Sequence, residues 1–143
     1  MVSAQTGSGK TVAFGNRELA VENLAEFDFS RVQIGLFSAG GSVSAEFAPR
    51  AAAAGCVVVD NTSQFRYDDD IPLVVPEVNP HAIADYRSRG IIANPNCSTI
   101  QMLVALKPLH DISKIKRIIV STYQSISGAG AQALAELEDQ TRK

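Results

Sequence analysis

Residues 32–60, V-Q-I-G-L-F-S-A-G-G-S-V-S-A-E-F-A-P-R-A-A-A-A-G-C-V-V-V-D, decide the fold. The run over 32–37 is short and apolar, which predicts a strand, and Ser38-Ala39-Gly40-Gly41-Ser42 follows as a glycine turn. Residues 44–54 have helical composition, Gly55 stops the helix, and residues 56–60 return to a β-branched run closed by polar residues. Together they spell a βαβ unit. A continuous apolar strand without alternation is what a parallel sheet covered on both faces requires, so the fold class is α/β.

Upstream, residues 11–22 alternate apolar and polar side chains around Gly15 and Asn16, which predicts a hairpin or two edge strands. Downstream, 71–75 and 90–93 predict further strands with a helix over 80–89 between them. Asn94-Pro95-Asn96 breaks the chain ahead of an apolar helix over 98–106, closed by Lys107, Pro108 and His110. A strand over 115–122 follows, then Gly128-Ala129-Gly130 opens a last helix over 132–139. No closing strand comes after it, so the chain is expected to stop partway through an architecture.

Composition narrows the function. The 143 residues carry 13 Lys+Arg against 15 Asp+Glu, a formal net charge of −2, with 45% hydrophobic residues. That balance gives no basic footprint for nucleic acid, and no apolar run approaches the ~20 residues a membrane helix needs. Ser3, Gln5, Thr6 and Gly7 after Met1 do not make a secretory leader, so the cytoplasm is expected. Two cysteines without a CxxC or Cys/His cluster argue against a disulfide framework and against structural metal.

The phrase Gly7-Ser8-Gly9-Lys10-Thr11 invites a phosphate-loop reading, but that motif needs glycine where Ala4 stands and a strand ahead of it. The turn at Ser38, Gly40 and Gly41 lies where a βαβ unit holds a ligand, and it would suit a dinucleotide as well as a plain tight turn. Cys97 stands at the start of a helix behind a stiff Asn-Pro-Asn turn. The orphan N–H groups and positive end of a helix favour thiolate there, and the same donors can hold an oxyanion, whereas a small buried residue is the bland alternative. Cys56, inside a predicted strand, reads as inert core. Neither histidine sits in a convincing site for the base such a nucleophile wants: His81 follows Asn79-Pro80, and His110 suits a helix C-terminus. Arg66 could fork onto a phosphate or carboxylate, or simply face Asp68, Asp69 and Asp70. Gln124 projects from the end of the 115–122 strand to the same edge.

Five segments occur together in order: S-A-G-G-S at 38–42, V-V-D-N-T-S-Q-F-R at 58–66, V-P-E-V-N at 75–79, N-P-N-C-S-T at 94–99 and Y-Q-S-I-S-G-A-G at 123–130. In this combination the chain closely resembles bacterial aspartate-semialdehyde dehydrogenase from about Gly9 onward. The resemblance implies NADP-dependent reduction of aspartyl phosphate to aspartate semialdehyde with release of phosphate, serving lysine, methionine and threonine synthesis. It implies Cys97 as the nucleophile that forms a thioester, Asn96 beside it, Gln124 orienting substrate and Arg66 binding phosphate. Ser38, Gly40, Gly41, Ser127 and Gly128 would contact the cofactor. It also implies a homodimer, an incomplete Rossmann-like domain over 1–93, and the start of an α+β catalytic and dimerisation domain over 94–143.

The departures are as informative. The family opens with a strand and glycine-rich dinucleotide loop that this chain does not carry ahead of Met1. Around Thr6 and Gly7 the family tends to have an Arg-Ser pair for the adenosine 2′-phosphate, and the arginine is missing here. The family's base histidine, a further substrate arginine and most of its dimerisation domain fall beyond Lys143. An internal fragment, inactive or nearly so alone, is therefore expected. A binding or assembly module and an acyl-phosphate reductase of the N-acetylglutamyl-phosphate type are the alternatives.

Overall fold

A computed structural model describes residues 2–3 and 9–142. The phosphate-loop phrase and the Thr6–Gly7 position therefore lie largely outside the described residues. The chain forms two compact units, Met1–Ile112 and Ser113–Lys143.

In the first unit β1 (Val2–Ser3), β2 (Thr11–Phe14), β3 (Arg17–Ala20) and β4 (Glu22–Asn23) come first; β1 pairs with β4 in parallel. β2 and β3 form the expected hairpin, with Phe14 opposite Arg17 and Gly15 at φ 56 in the first turn position. A two-residue hairpin turn demands such positive φ, which glycine adopts without strain.

The sheet that positions the site is built from β5 (Ile34–Phe37), β6 (Val57–Asp60) and β7 (Ile91–Ala93), all parallel, in the order β5-β6-β7. The helix α1 (Gly41–Ala53) connects β5 to β6, so the βαβ unit read from residues 32–60 is present. Gly55, at φ 90, takes the left-handed conformation that ends the helix. Register places Gly35, Val58 and Ile91 in one row and, two positions on and so on the same face, Phe37, Asp60 and Ala93 in another. Onto this face α1 lays Phe47, Ala48 and Ala51, and Phe29, Phe65 and Ile71 complete the core. Cys56 is buried in the same cluster, and burial pushes its thiol up, as expected of inert core.

The opposite face differs from expectation. Ile34 is 67% exposed and Leu36 81%, so the described helices cover one face of β5 and leave the other open. A run of consecutive apolar residues carries no record of which face a neighbour covers.

Residues 71–75 make a single bridge, Leu73 to Ala93, rather than a strand. Pro72 has no N–H to give a ladder, although its carbonyl accepts from Ala93 N at 2.9 Å. The segment Pro80–Ser88 is helical but of the tight 3-10 kind. It ends at Gly90, whose φ is 69 and where an added Cβ would meet the Ala52 Cβ at 2.8 Å. The helix α2 runs over Cys97–Ile112, past Pro108 rather than closing before it. Proline removes one backbone bond near the helix end, and the Lys107 to Asp111 ion pair at 2.6 Å straddles it.

In the second unit the strand over 115–122 does not form among the described residues, and Ile118, Ile119 and Val120 are exposed. β-branched composition gives propensity, but only a neighbouring ladder makes a strand of it. A 3-10 turn, Ile126–Ala129, leads through Gly130 into α3 (Ala131–Thr141), the expected last helix.

Candidate active site

Parallel strands deliver their carboxyl ends to one edge, so the loops beginning at Ser38, Asn61 and Asn94 emerge together. The first loop ends at Gly40, the N-cap of α1, with φ 108 and open space where a Cβ would stand. At Gly41 a Cβ would meet Gln64 Oε1 at 3.6 Å. Beneath the loop, Ser44 donates its hydroxyl to Asp60 Oδ1 at 2.8 Å, and both residues are fully buried. Asp60 also accepts from the Thr62 N–H at 3.1 Å and the Thr62 hydroxyl at 2.8 Å, which shapes the second loop.

Arg66, half-buried, does not face the acidic run after it. Its Nε donates to the Asn94 carbonyl at 2.9 Å and a terminal nitrogen donates to the Asn61 carbonyl at 3.1 Å. Arg89 takes the acidic residues instead, at 3.2 Å from both Asp68 and Asp70. The third loop is pinned as well: Asn94 N donates to the Asp60 carbonyl at 2.8 Å, and Asn94 Nδ2 to Asn61 Oδ1 at 2.6 Å.

Cys97 is exposed and is the first residue of α2. Asn96 caps the helix, its Oδ1 accepting from the Ser98 N–H at 3.0 Å and the Ser98 hydroxyl at 2.7 Å. The Cys97 Sγ lies 4.0 Å from the same Oδ1. The edge thus carries an exposed thiol at a helix start, a guanidinium bonded to the turn before it, and a glycine-rich helix N-terminus.

His81 is exposed at the start of the 3-10 segment and His110 lies in the last turn of α2. Among the described residues no group of three or more His, Cys, Asp or Glu side chains is placed to hold a metal ion. No helix among them is long and apolar enough to cross a membrane.

Three sequence candidates lie in the second unit. Gln124 is exposed in the segment before the 3-10 turn. Ser125 caps that turn, accepting from the Ser127 N–H, and its Oγ lies 2.8 Å from Ser127 Oγ. The Gly128 N–H donates to the Ser125 carbonyl at 3.2 Å.

Sequence reasoning missed Asp60, Asn61, Asn94 and Ser44 as parts of this edge. The available signal was an Asp or Asn immediately at or after each of two parallel strands, where short polar side chains bond loop backbone.

The sequence matches the semialdehyde dehydrogenase NAD-binding domain over residues 1–86 and the semialdehyde dehydrogenase dimerisation domain over 106–143. The chain belongs to the semialdehyde dehydrogenase family. It is 67% identical over 129 residues to an aspartate-semialdehyde dehydrogenase of Legionella pneumophila, covering 90% of this chain and 37% of the relative. It is 62% identical over 143 residues to aspartate-semialdehyde dehydrogenase 2 of Vibrio cholerae. A crystal structure of Vibrio cholerae aspartate semialdehyde dehydrogenase II complexed with ASA superposes with a TM-score of 0.89 at 61% identity, covering 99% of this chain and 42% of that one. The chain spans about 42% of the length of such relatives.

Proposed function

We propose that this chain carries the nucleophile and part of the dinucleotide site of an aspartate-semialdehyde dehydrogenase, which makes L-aspartate 4-semialdehyde from L-aspartyl 4-phosphate with NADP as cofactor. The observation that supports it most is the exposed Cys97 at the first position of a 16-residue helix, behind a turn bonded to Arg66. The Cys97 thiolate attacks the acyl carbon of aspartyl phosphate, the carbon–oxygen bond to phosphate breaks, and phosphate leaves with the electron pair, giving a thioester. Electrostatic help comes from the helix start, whose orphan N–H groups favour the thiolate and the developing oxyanion. Asn96 holds that helix start in shape, Arg66 offers its guanidinium to the phosphate, and Gln124 orients the substrate.

Ser38, Gly40 and Gly41 fit a dinucleotide, because no Cβ fills the space at Gly40 and the amino end of α1 faces the loop. Ser127 and Gly128, in the second unit, are assigned cofactor contacts on the same reading. NADP, when bound in its reduced form, supplies the hydride that releases the aldehyde. On this reading residues 1–93 belong to the dinucleotide-binding domain and 94–143 open the catalytic and dimerisation domain. The protein works as a homodimer in the cytoplasm, in amino-acid biosynthesis.

The test is phosphate release from aspartyl phosphate by the purified chain, alongside N-acetylglutamyl phosphate. The reading expects a burst of one equivalent of phosphate per chain from aspartyl phosphate, a single acylation that needs neither hydride nor turnover, and its loss in Cys97→Ala. A burst of equal size in Cys97→Ala, or one confined to N-acetylglutamyl phosphate, contradicts it.

A further inference from the structure

Three loops meet at the sheet edge, and two of them close a ring of hydrogen bonds. Arg66 donates to the carbonyls of both Asn94 and Asn61, and the side chains of Asn94 and Asn61 bond each other at 2.6 Å. The Asn94 N–H is committed as well, to the Asp60 carbonyl at 2.8 Å. Every polar group of Asn94 used here ties the turn after β7 to the loop after β6, across 28 residues of sequence for the Arg66 contact. Cys97 follows Asn94 by three positions, a span of at most roughly 10 Å. Pro95 between them is buried and has a fixed φ, which removes one of the torsions that could absorb a shift of Asn94 before it reaches the thiol.

We propose that the Asn94 and Asn61 amide pair is a positioning clasp that sets the distance between the Cys97 thiol and the Arg66 guanidinium. The inference rests on the reading of Cys97 and Arg66 as nucleophile and anion-binding group. Without the clasp, the loops stay joined through the backbone carbonyls that Arg66 holds and through the Asn94 N–H, but they lose the side-chain bond that fixes their spacing, so an anionic substrate is held less firmly at its two reacting ends.

The experiment compares iodoacetate with iodoacetamide as alkylating reagents for Cys97, followed by peptide mass spectrometry. Both lose iodide to the same thiolate; they differ in charge and in intrinsic reactivity, and the unfolded chain calibrates the second. Their rate ratio therefore cancels changes in thiol ionisation or exposure and reports the positive potential at the sulfur, to which the start of α2 and Arg66 both contribute; the amide variants leave the helix start in place, so the change between variants reports Arg66. A ratio about 2-fold above that of the urea-unfolded chain is expected for the wild type, the attraction of unit charges roughly 10 Å apart in water. The ratio should fall toward the unfolded value in Asn94→Ala and equally in Asn61→Ala. The double variant should match either single one, since all three remove the same bond. Slow labelling of buried Cys56 confirms in each case that the fold is intact, and the exposed Asn61 supplies the gentler variant.

A wild-type ratio retained in both single variants overturns the clasp while leaving the anion site standing. Additive losses in the double variant also overturn it, because the residues would then act separately. A wild-type ratio equal to that of the unfolded chain removes the anion site itself, and the clasp with it.

Discussion

Asp60 is the residue on which the sheet edge is built, and replacing it measures how firmly that edge is held. Its carboxyl group is fully buried and accepts from the Ser44 hydroxyl at 2.8 Å, the Thr62 hydroxyl at 2.8 Å and the Thr62 N–H at 3.1 Å. Asp60→Ala orphans these donors, of which the Ser44 hydroxyl is as deeply buried as the acceptor it loses. An orphaned buried donor costs about 1–3 kcal/mol. Thr62 is half-buried and regains some water, and the variant escapes the cost of burying a carboxyl group. The expected loss is about 2–4 kcal/mol. Asp60→Asn keeps one oxygen for Ser44 and the Thr62 N–H and offers its amide to the Thr62 hydroxyl, so it should lose only about 1 kcal/mol. Urea unfolding with linear extrapolation reads both, and the slope should not change. An Asp60→Ala loss under about 1 kcal/mol at unchanged slope would refute the idea that this network holds the edge together.

Other outcomes follow from the same structure. Gly90→Ala should cost about 2–4 kcal/mol in urea unfolding, part from a side chain at φ 69 and part from the 2.8 Å approach to Ala52. Adding Ala52→Gly should relieve only the second part. Alkylation should modify exposed Cys97 at least roughly 100-fold faster than buried Cys56, which reacts only through opening of the fold; comparable rates would mean that the core is not formed. Burial raises the Cys56 thiol, so above the ordinary thiol range, about pH 8.5, the unfolded chain has released a proton that the folded chain retains. Stability should therefore be full below that pH and decline above it, and Cys56→Ala should flatten the decline.

Much of the frame was legible because local signals agreed. Residues 32–60 carry a strand run, a glycine turn, a helix and a Gly55 stop, and each was found within a few residues of its expected place. Gly15 marked the hairpin for the same reason. Failures fall where a neighbour decides. Pro72 keeps 71–75 from becoming a ladder, 115–122 has strand composition without forming a strand, and α2 continues past Pro108 because one lost bond near a helix end is tolerable. At the site, the start of α2 at Cys97 was readable from Asn-Pro-Asn. The engagement of Arg66 with Asn94 was not, since it joins residues 28 apart through backbone carbonyls that leave no mark on side-chain pattern. Asp68 and Asp70 suggested a local partner for Arg66, and the fold gave them Arg89 instead.

The central claim is that Cys97 is the acyl-accepting nucleophile of this edge. Intact-mass and peptide analysis of the chain after brief exposure to aspartyl phosphate tests it most directly. The account predicts a single aspartyl adduct on Cys97, formed as phosphate is released and absent from Cys97→Ala. An adduct on Cys56, or none on Cys97 while that thiol still alkylates readily in a folded chain, would contradict it.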